Sequence, residues 1–201
     1  DELASELTAA HGTTCTVVAA DLAAPGAGRQ IAEQVRAAGR SIDFLVNNAG
    51  CGRRGAFAQS DRRRQLEMND VNVRALVELT HLFLPGMLER KQGRILNIAS
   101  MAGFVPGPFM ATYYASKAFV LSFTEALASE LAGTGVTVTA SCPGPTATEF
   151  GDVAGSSGSN LFRRHAADAA ADLRTSSAFL AQSATLAPAC ASARAIALPI
   201  P

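Results

Sequence analysis

Apolar positions follow two rhythms along this 201-residue chain. Short runs of consecutive aliphatic and β-branched residues alternate with longer stretches where apolar residues recur every three or four positions. The short runs are TTCTVVAA at 13–20, IDFLV at 42–46, GRILNIAS at 93–100 and VTVTAS at 136–141. Each predicts a buried strand. The longer stretches predict helices over 1–11, closed by Gly12, and over 29–38, where Ile31, Val35 and Ala38 share a face and Gly39 ends the element. A third helical stretch covers 61–90, with Leu66, Leu76, Leu79, Leu82 and Phe83 in its apolar stripe and an interruption expected near 69–72. A fourth covers 113–132, after a Gly/Pro-rich loop at 102–108. Alternating helices and buried strands predict an α/β fold, a parallel sheet covered on both faces.

The rhythm stops near residue 150. Residues 151–201 hold 15 Ala and 7 Ser, and after Arg174 the only charge is Arg194. Such composition predicts either a poorly ordered tail or a loosely packed helical segment. The chain therefore divides into an α/β part, 1–150, and an atypical Ala/Ser-rich part, 151–201.

Hydrophobic residues make up 48% of the chain and charged residues 17%, with zero formal net charge. A chain of this length can bury one sizeable core. Nothing provides the basic face that a nucleic-acid partner requires; Arg62, Arg63 and Arg64, between Asp61 and Glu67, read as a solvated helix face. The four cysteines, Cys15, Cys51, Cys142 and Cys190, form no Cys-x-x-Cys pair, and none of the three histidines has metal-ligand spacing from them. The expectation is no metal site, and reduced thiols in a cytoplasmic protein. No apolar run reaches the roughly 18–20 residues of a membrane span. No signal peptide is visible, and residue 1 is not Met.

Candidate chemistry centres on Tyr113-Tyr114-Ala115-Ser116-Lys117, with Ser100 upstream. Tyr113 and Lys117 lie four residues apart, on one helix face. A neighbouring ammonium favours the phenolate, and lowering a phenol's pKa by about three units corresponds to roughly 4 kcal/mol. A Ser at the same place could hydrogen-bond a carbonyl. The set describes proton transfer at a carbonyl or carbinol oxygen. Tyr114 falls outside the Tyr-x-x-x-Lys spacing and reads as a packing or wall residue. Ligands of open α/β sheets bind at the carboxyl ends of strands. Asp21, Asn47 to Gly50, Ser100 and the segment 143–148 all follow expected strands.

With these residues in place, the chain resembles a compact, single-domain short-chain dehydrogenase/reductase. The matching pieces are Asp21-Leu22, NNAG at 47–50, Asn72, Ser100, YYASK at 113–117 and PGPTAT at 143–148, in family order and spacing. The resemblance implies a Rossmann-like doubly wound parallel sheet and an NAD(P)-dependent oxidoreductase that reversibly reduces a carbonyl or oxidises an alcohol. It implies that Tyr113 exchanges the proton, that Lys117 lowers the Tyr113 pKa and holds the nicotinamide ribose, and that Ser100 orients the carbonyl. Asn72 would bind a relay water. Asp21 and Leu22 would meet the adenine, and Asn48, Ala49 and Gly50 would line the cofactor crevice. Thr146 and Thr148, after Pro143 and Gly144, would contact the nicotinamide carboxamide or diphosphate. NADP(H) is slightly favoured as the cofactor. Met101, Phe104, Val105, Phe109 and Met110 favour a hydrophobic small-molecule substrate. The helices at 61–90 and 113–132 would supply the family's usual homodimer or homotetramer interface.

Two departures qualify the resemblance. Gly50-Cys51-Gly52-Arg53-Arg54-Gly55 fits G-x-G-x-x-G, but six residues separate it from a helix expected to be capped at Ser60 or Asp61. The phosphate-binding version must open straight into its helix, so these glycines are not that loop. The family's own glycine-rich loop is absent from the sequence, and with it the first two strands of the 3-2-1-4-5-6 sheet. Residues 13–20 and 42–46 would then be strands three and four, about 14 Å apart with nothing between. The sheet is expected to be incomplete, and the composition change suggests a shifted reading frame beyond about residue 160. The alternative to an enzyme is an inactive fragment that only associates, through its helices. A non-redox sugar-modifying relative using the same Tyr and Lys is a third reading.

Overall fold

The structure, a computed structural model, describes residues 2–145 and residue 154. Its elements are α1 (Glu2–His11), α2 (Ala27–Ala37), β1 (Phe44–Asn47), α3 (Arg62–Asn69), α4 (Ala75–Arg90), β2 (Gly93–Ile98), α5 (Ala111–Glu130) and β3 (Val136–Ser141). A π-turn, Asp70–Arg74, joins α3 to α4. The expected 61–90 helix is thus real and interrupted where its pattern broke. Its start is fixed by Asp61, whose carboxylate accepts from the Arg63 N–H at 2.9 Å.

The sheet is parallel throughout, in the order β1-β2-β3. Leu45 lies opposite Ile95, and Ile95 opposite Val138. Ile95, Leu96, Asn97 and Ile98 are all buried, so central strand β2 is covered on both faces. On one face, Met87 of α4 packs with Ile95, Val136, Val138 and Leu131. Beside them, Leu76 of α4 meets Val120 of α5, with Ala99 and Cys142. On the other face, Leu96 and Ile98 pack with Val46. α2 lies against α4.

A buried polar chain crosses the helix-bearing face. Asn47 and Asn97 are in register. Asn47 Nδ2 donates to Asn97 Oδ1 at 2.8 Å and to Thr80 Oγ1 of α4 at 3.1 Å. Asn97 Nδ2 donates to Thr124 Oγ1 of α5 at 2.9 Å, which donates to the Val120 carbonyl at 2.6 Å. Because a polar group orphaned in a core costs about 1–3 kcal/mol, this chain fixes how α4 and α5 sit on the strands.

One expected strand does not form. Residues 13–20 contain no ladder, and Val17 is 57% exposed. Their composition suits a strand, but a strand requires a hydrogen-bonded neighbour. Among the described residues the sheet ends at β1, and no strand bridges from β1 to this segment. The Ala/Ser-rich part of the chain lies outside the described residues, residue 154 excepted.

This packing predicts a contrast measurable by thermal unfolding. Met87→Ala empties a fully buried position and is expected to cost about 2–5 kcal/mol. Val17→Ser, in the apolar run that forms no strand, is expected to change stability by less than about 0.5 kcal/mol.

Candidate active site

The carboxyl ends of all three strands open on one side, and the polar clusters of the sequence gather there. After β1 the chain runs through Asn48, Ala49 and Gly50, all exposed. After β2 it reaches Ser100, whose Oγ accepts from the Ala102 N–H at 3.1 Å and so caps a short turn, Met101–Phe104. After β3 it reaches Pro143, whose carbonyl accepts from the Met101 N–H at 3.0 Å. The Ser100 hydroxyl lies 3.4 Å from that same carbonyl. Gly144 packs near the Met101 sulfur. Thr146 and Thr148 lie outside the described residues.

α5 carries Tyr113 and Lys117, the pair expected to exchange the proton. The Ser100 side chain lies close enough to the Tyr113 phenol to draw its pKa down. Lys117, one turn on, is buried, and its Nζ donates to the Ile98 carbonyl at 2.7 Å. Gly107 and Gly103 let the preceding loop lie flat on this helix: a Cβ at Gly107 would collide with the Tyr114 ring, and one at Gly103 would stand 2.9 Å from the Lys117 carbonyl oxygen. Tyr114 is therefore a packing surface, as expected.

Asn72 has a larger structural role than the sequence suggested. It lies buried in the π-turn, where the Ala75 N–H reaches back to Asp70. Its Oδ1 accepts from the Cys51 N–H at 2.9 Å, and its Nδ2 donates to the Cys51 carbonyl and to Ser116 Oγ, both at 2.9 Å. Ser116 Oγ donates to the Tyr113 carbonyl at 2.7 Å. One amide thus joins the loop after β1 to the helix that carries Tyr113. Asn72 Oδ1 and Lys117 Nζ also converge on Gly50: a Cβ there would lie 3.5 Å from the first and 3.4 Å from the second.

The electrostatics differ from the sequence expectation at Tyr113. Burial pushes the phenol above its ordinary pKa, and the Ser100 side chain draws it only partly back. Lys117 was expected to lower it, but its ammonium points to Ile98 and stands 5.9 Å from the Tyr113 ring centre. Tyr113 is a protonated acid in this state. Burial lowers Lys117 from its ordinary 10.5 to about 8, with smaller upward pulls from Cys51 and Cys142. Burial also pushes the Cys51 thiol up, against the pull of Arg53 and Lys117.

The donor set fits a dinucleotide. Lys117 spends one of its three N–H groups on Ile98. Gly50 leaves a cradle between Lys117 and Asn72 that any side chain would fill. At the end of the 13–20 segment, Asp21 is exposed, its Oδ1 accepting from the Ala23 N–H at 3.0 Å. Asp21 therefore caps a turn, and Leu22 lies in that turn. Sequence reasoning overlooked Arg74, which bonds to that turn, and the linking role of Ser116; a single sequence marks neither.

Comparison with known proteins places these features in context. The short chain dehydrogenase family matches residues 1–157. The ketoacyl reductase HetN of Nostoc sp. is 46% identical over 103 residues, which is 51% of this chain and 36% of HetN. A solved structure of a putative NAD(P)-dependent gluconate 5-dehydrogenase from Beutenbergia cavernae, with bound NADP at low occupancy, is 41% identical with a TM-score of 0.69, covering 75% of this chain and 59% of that one. A short-chain dehydrogenase from Sphingobium yanoikuyae, in complex with NADPH, is 32% identical with a TM-score of 0.76, covering 84% of this chain and 65% of that one. The chain thus spans about a third of the curated relative and about three-fifths of the two structures.

The Lys117 environment predicts a pH signature. A lysine whose pKa falls on folding binds fewer protons when folded than when unfolded between about 8 and 10.5. Stability should therefore rise with pH through that window. The drop in pKa corresponds to about 3 kcal/mol. Denaturant titrations at pH 7 and pH 10.5 should show this gain in the native protein and its loss in Lys117→Met.

Proposed function

Because this chain belongs to the short-chain dehydrogenases, we propose that it is an NAD(P)-dependent oxidoreductase, reducing an apolar ketone with Tyr113 as proton donor. The observation that carries this reading is the gathering of Ser100, Tyr113 and buried Lys117, whose Nζ is held by the Ile98 carbonyl, at the carboxyl ends of the strands. When bound, the dinucleotide supplies the hydride. Tyr113, protonated in this state, gives its proton to the carbonyl oxygen as that oxygen gains charge. Ser100 aligns the same oxygen and stabilises the developing oxyanion. Lys117 holds the ribose through the N–H groups that Ile98 leaves free and favours the phenolate as it forms. The Asn72 side chain is spent on Cys51 and Ser116, so its main contribution is to hold the loop and the helix in register. A relay water would have to use the remaining lone pair of its oxygen or the π-turn backbone.

The cofactor-bound relatives hold NADP or NADPH, which supports NADP(H) here. Their substrates point two ways: the name of HetN indicates a ketoacyl group and that of the gluconate enzyme a sugar acid. The exposed apolar side chains of the loop before α5 support the first. Met101, Phe104, Val105 and Phe109, in the loop between Ser100 and α5, are each more than half exposed. Apolar side chains there favour an acyl or other hydrophobic ketone. Phe109 also holds a left-handed backbone, φ 67°, with its carbonyl accepting from the Gly55 N–H at 2.8 Å. Strain in a bulky residue at this place fits a ring retained for contact with a ligand.

A second reading, association without catalysis, draws on the outer edge of β1, which pairs with no strand among the described residues, and on the stacked, partly exposed Phe119 and Phe123 of α5. Calorimetry with NADPH and NADH separates the two. Saturable binding supports the enzyme; no binding at millimolar nucleotide, together with concentration-dependent assembly, supports association.

Three outcomes test the chemistry. Tyr113→Phe is expected to lower kcat by about 10²–10⁴-fold with little change in melting temperature. Acetoacetyl-CoA or an aliphatic ketone should be reduced with a higher kcat/KM than 5-ketogluconate, and the opposite ranking would remove the apolar-substrate assignment. For reduction, kcat/KM should fall as pH rises past about 8, where Lys117 loses its proton.

A further inference from the structure

Arg74 follows Asn72 by two residues in the π-turn, and residues two apart on a helix do not share a face. Asn72 turns to Cys51 and Ser116, while Arg74 turns to the segment before α2. Its guanidinium is engaged along every edge. Nε donates to Asp70 Oδ1 at 2.7 Å, and Nη1 to Glu78 Oε2 at 3.4 Å. Nη2 faces the carbonyl oxygens of Leu22, Ala23 and Ala24 at 3.3, 3.0 and 3.2 Å.

Those carbonyls belong to the turn that Asp21 caps. The turn closes through the Ala24 N–H on the Asp21 carbonyl at 2.9 Å and the Ala23 N–H on Asp21 Oδ1 at 3.0 Å. Three carbonyl dipoles aimed at one point repel unless a cation lies among them. The segment before the turn belongs to no ladder, and after it Gly26 takes φ 80° to enter α2. Arg74 is therefore its main lateral support. Only arginine presents donors in a rigid planar fork able to serve two carboxylates and a set of carbonyls together. Asp70 and Glu78 fix the aim of that fork, and Glu78 packs closely on Gly28 of α2.

We propose that Arg74 is a positioning residue for the dinucleotide. It clamps the 21–24 turn in the conformation that offers the Asp21 carboxylate and the Leu22 amide to the adenine end. It does so from the same π-turn that sets Asn72 at the reacting end, so one irregular turn aligns both ends of the crevice. This rests on the dehydrogenase reading above.

The test compares the native chain, Arg74→Ala and Arg74→Lys in three measurements: amide hydrogen exchange without ligand, affinity for NADPH, and affinity for reduced nicotinamide mononucleotide, which lacks adenine. In Arg74→Ala, exchange at Ala23 and Ala24 should speed up and NADPH affinity should fall, each by about tenfold or more. Affinity for the mononucleotide should be unchanged. Arg74→Lys, with its charge but no fork, should recover only part of the loss. Unchanged exchange at Ala23 and Ala24 overturns the clamp. Equal weakening of both nucleotides overturns the adenine-specific role and leaves a general structural one. If the native chain binds neither nucleotide, the dehydrogenase reading fails and the adenine role with it, and the exchange comparison alone decides the clamp.

Discussion

The reciprocal bonding of Asn72 with the Cys51 peptide is the contact on which the rest of the site depends. Three hydrogen bonds from one buried amide bind three separate elements: the π-turn, the loop after β1 and the first turns of α5. It ties the loop that carries Asn48, Ala49 and Gly50 directly to the helix of Tyr113 and Lys117. A π-turn offers a site for such a residue because its extra residue breaks the helical register locally. The helix resumes as α4 with Leu76 and Met87 directed into the core.

Beneath that contact lies a division of labour between apolar and polar burial. Met87, Ile95, Val136 and Val138 hold α4 against the sheet without preferring one alignment. The chain Thr80–Asn47–Asn97–Thr124 supplies the alignment, since only one placement of α4 and α5 satisfies its donors. The helix that carries Tyr113 and Lys117 inherits this order. Val120 and Thr124 are anchored in the core, and Tyr113 and Lys117 lie one to three turns earlier on the same helix. Their position is therefore set by packing at some distance from the chemistry. Lys117 tolerates burial because Ile98 accepts one of its protons, and its lowered pKa follows from that low-dielectric setting. The same burial raises Tyr113, so the ligand-free site holds a neutral acid rather than a preformed phenolate.

What was legible in the sequence was local. The strands at 42–46, 93–100 and 136–141 were visible as short runs of aliphatic and β-branched residues, and all three formed within a few residues of their expected limits. The helices ending near Glu130 and Arg90 were visible as periodic stripes. The misplaced strand at 13–20 has the same β-branched character, and its failure shows that composition cannot supply a hydrogen-bonding partner. The Tyr-x-x-x-Lys spacing, the capping carboxylate of Asp61 and the rejection of the 50–55 glycines as a phosphate loop likewise needed only neighbours within a few residues.

The sequence by itself determined the alternating architecture and brought Tyr113 and Lys117 onto one helix face, because both are written in periodicities of two to four residues. The tertiary structure alone decided which groups interact. It gave Asn72 to Cys51 and Ser116, gave Lys117 Nζ to the Ile98 carbonyl, and set Arg74 against a turn some fifty residues away. Those pairings arise where strands parallel in space but distant in the chain end side by side. No local pattern encodes them, since each depends on the placement of elements joined only through the core.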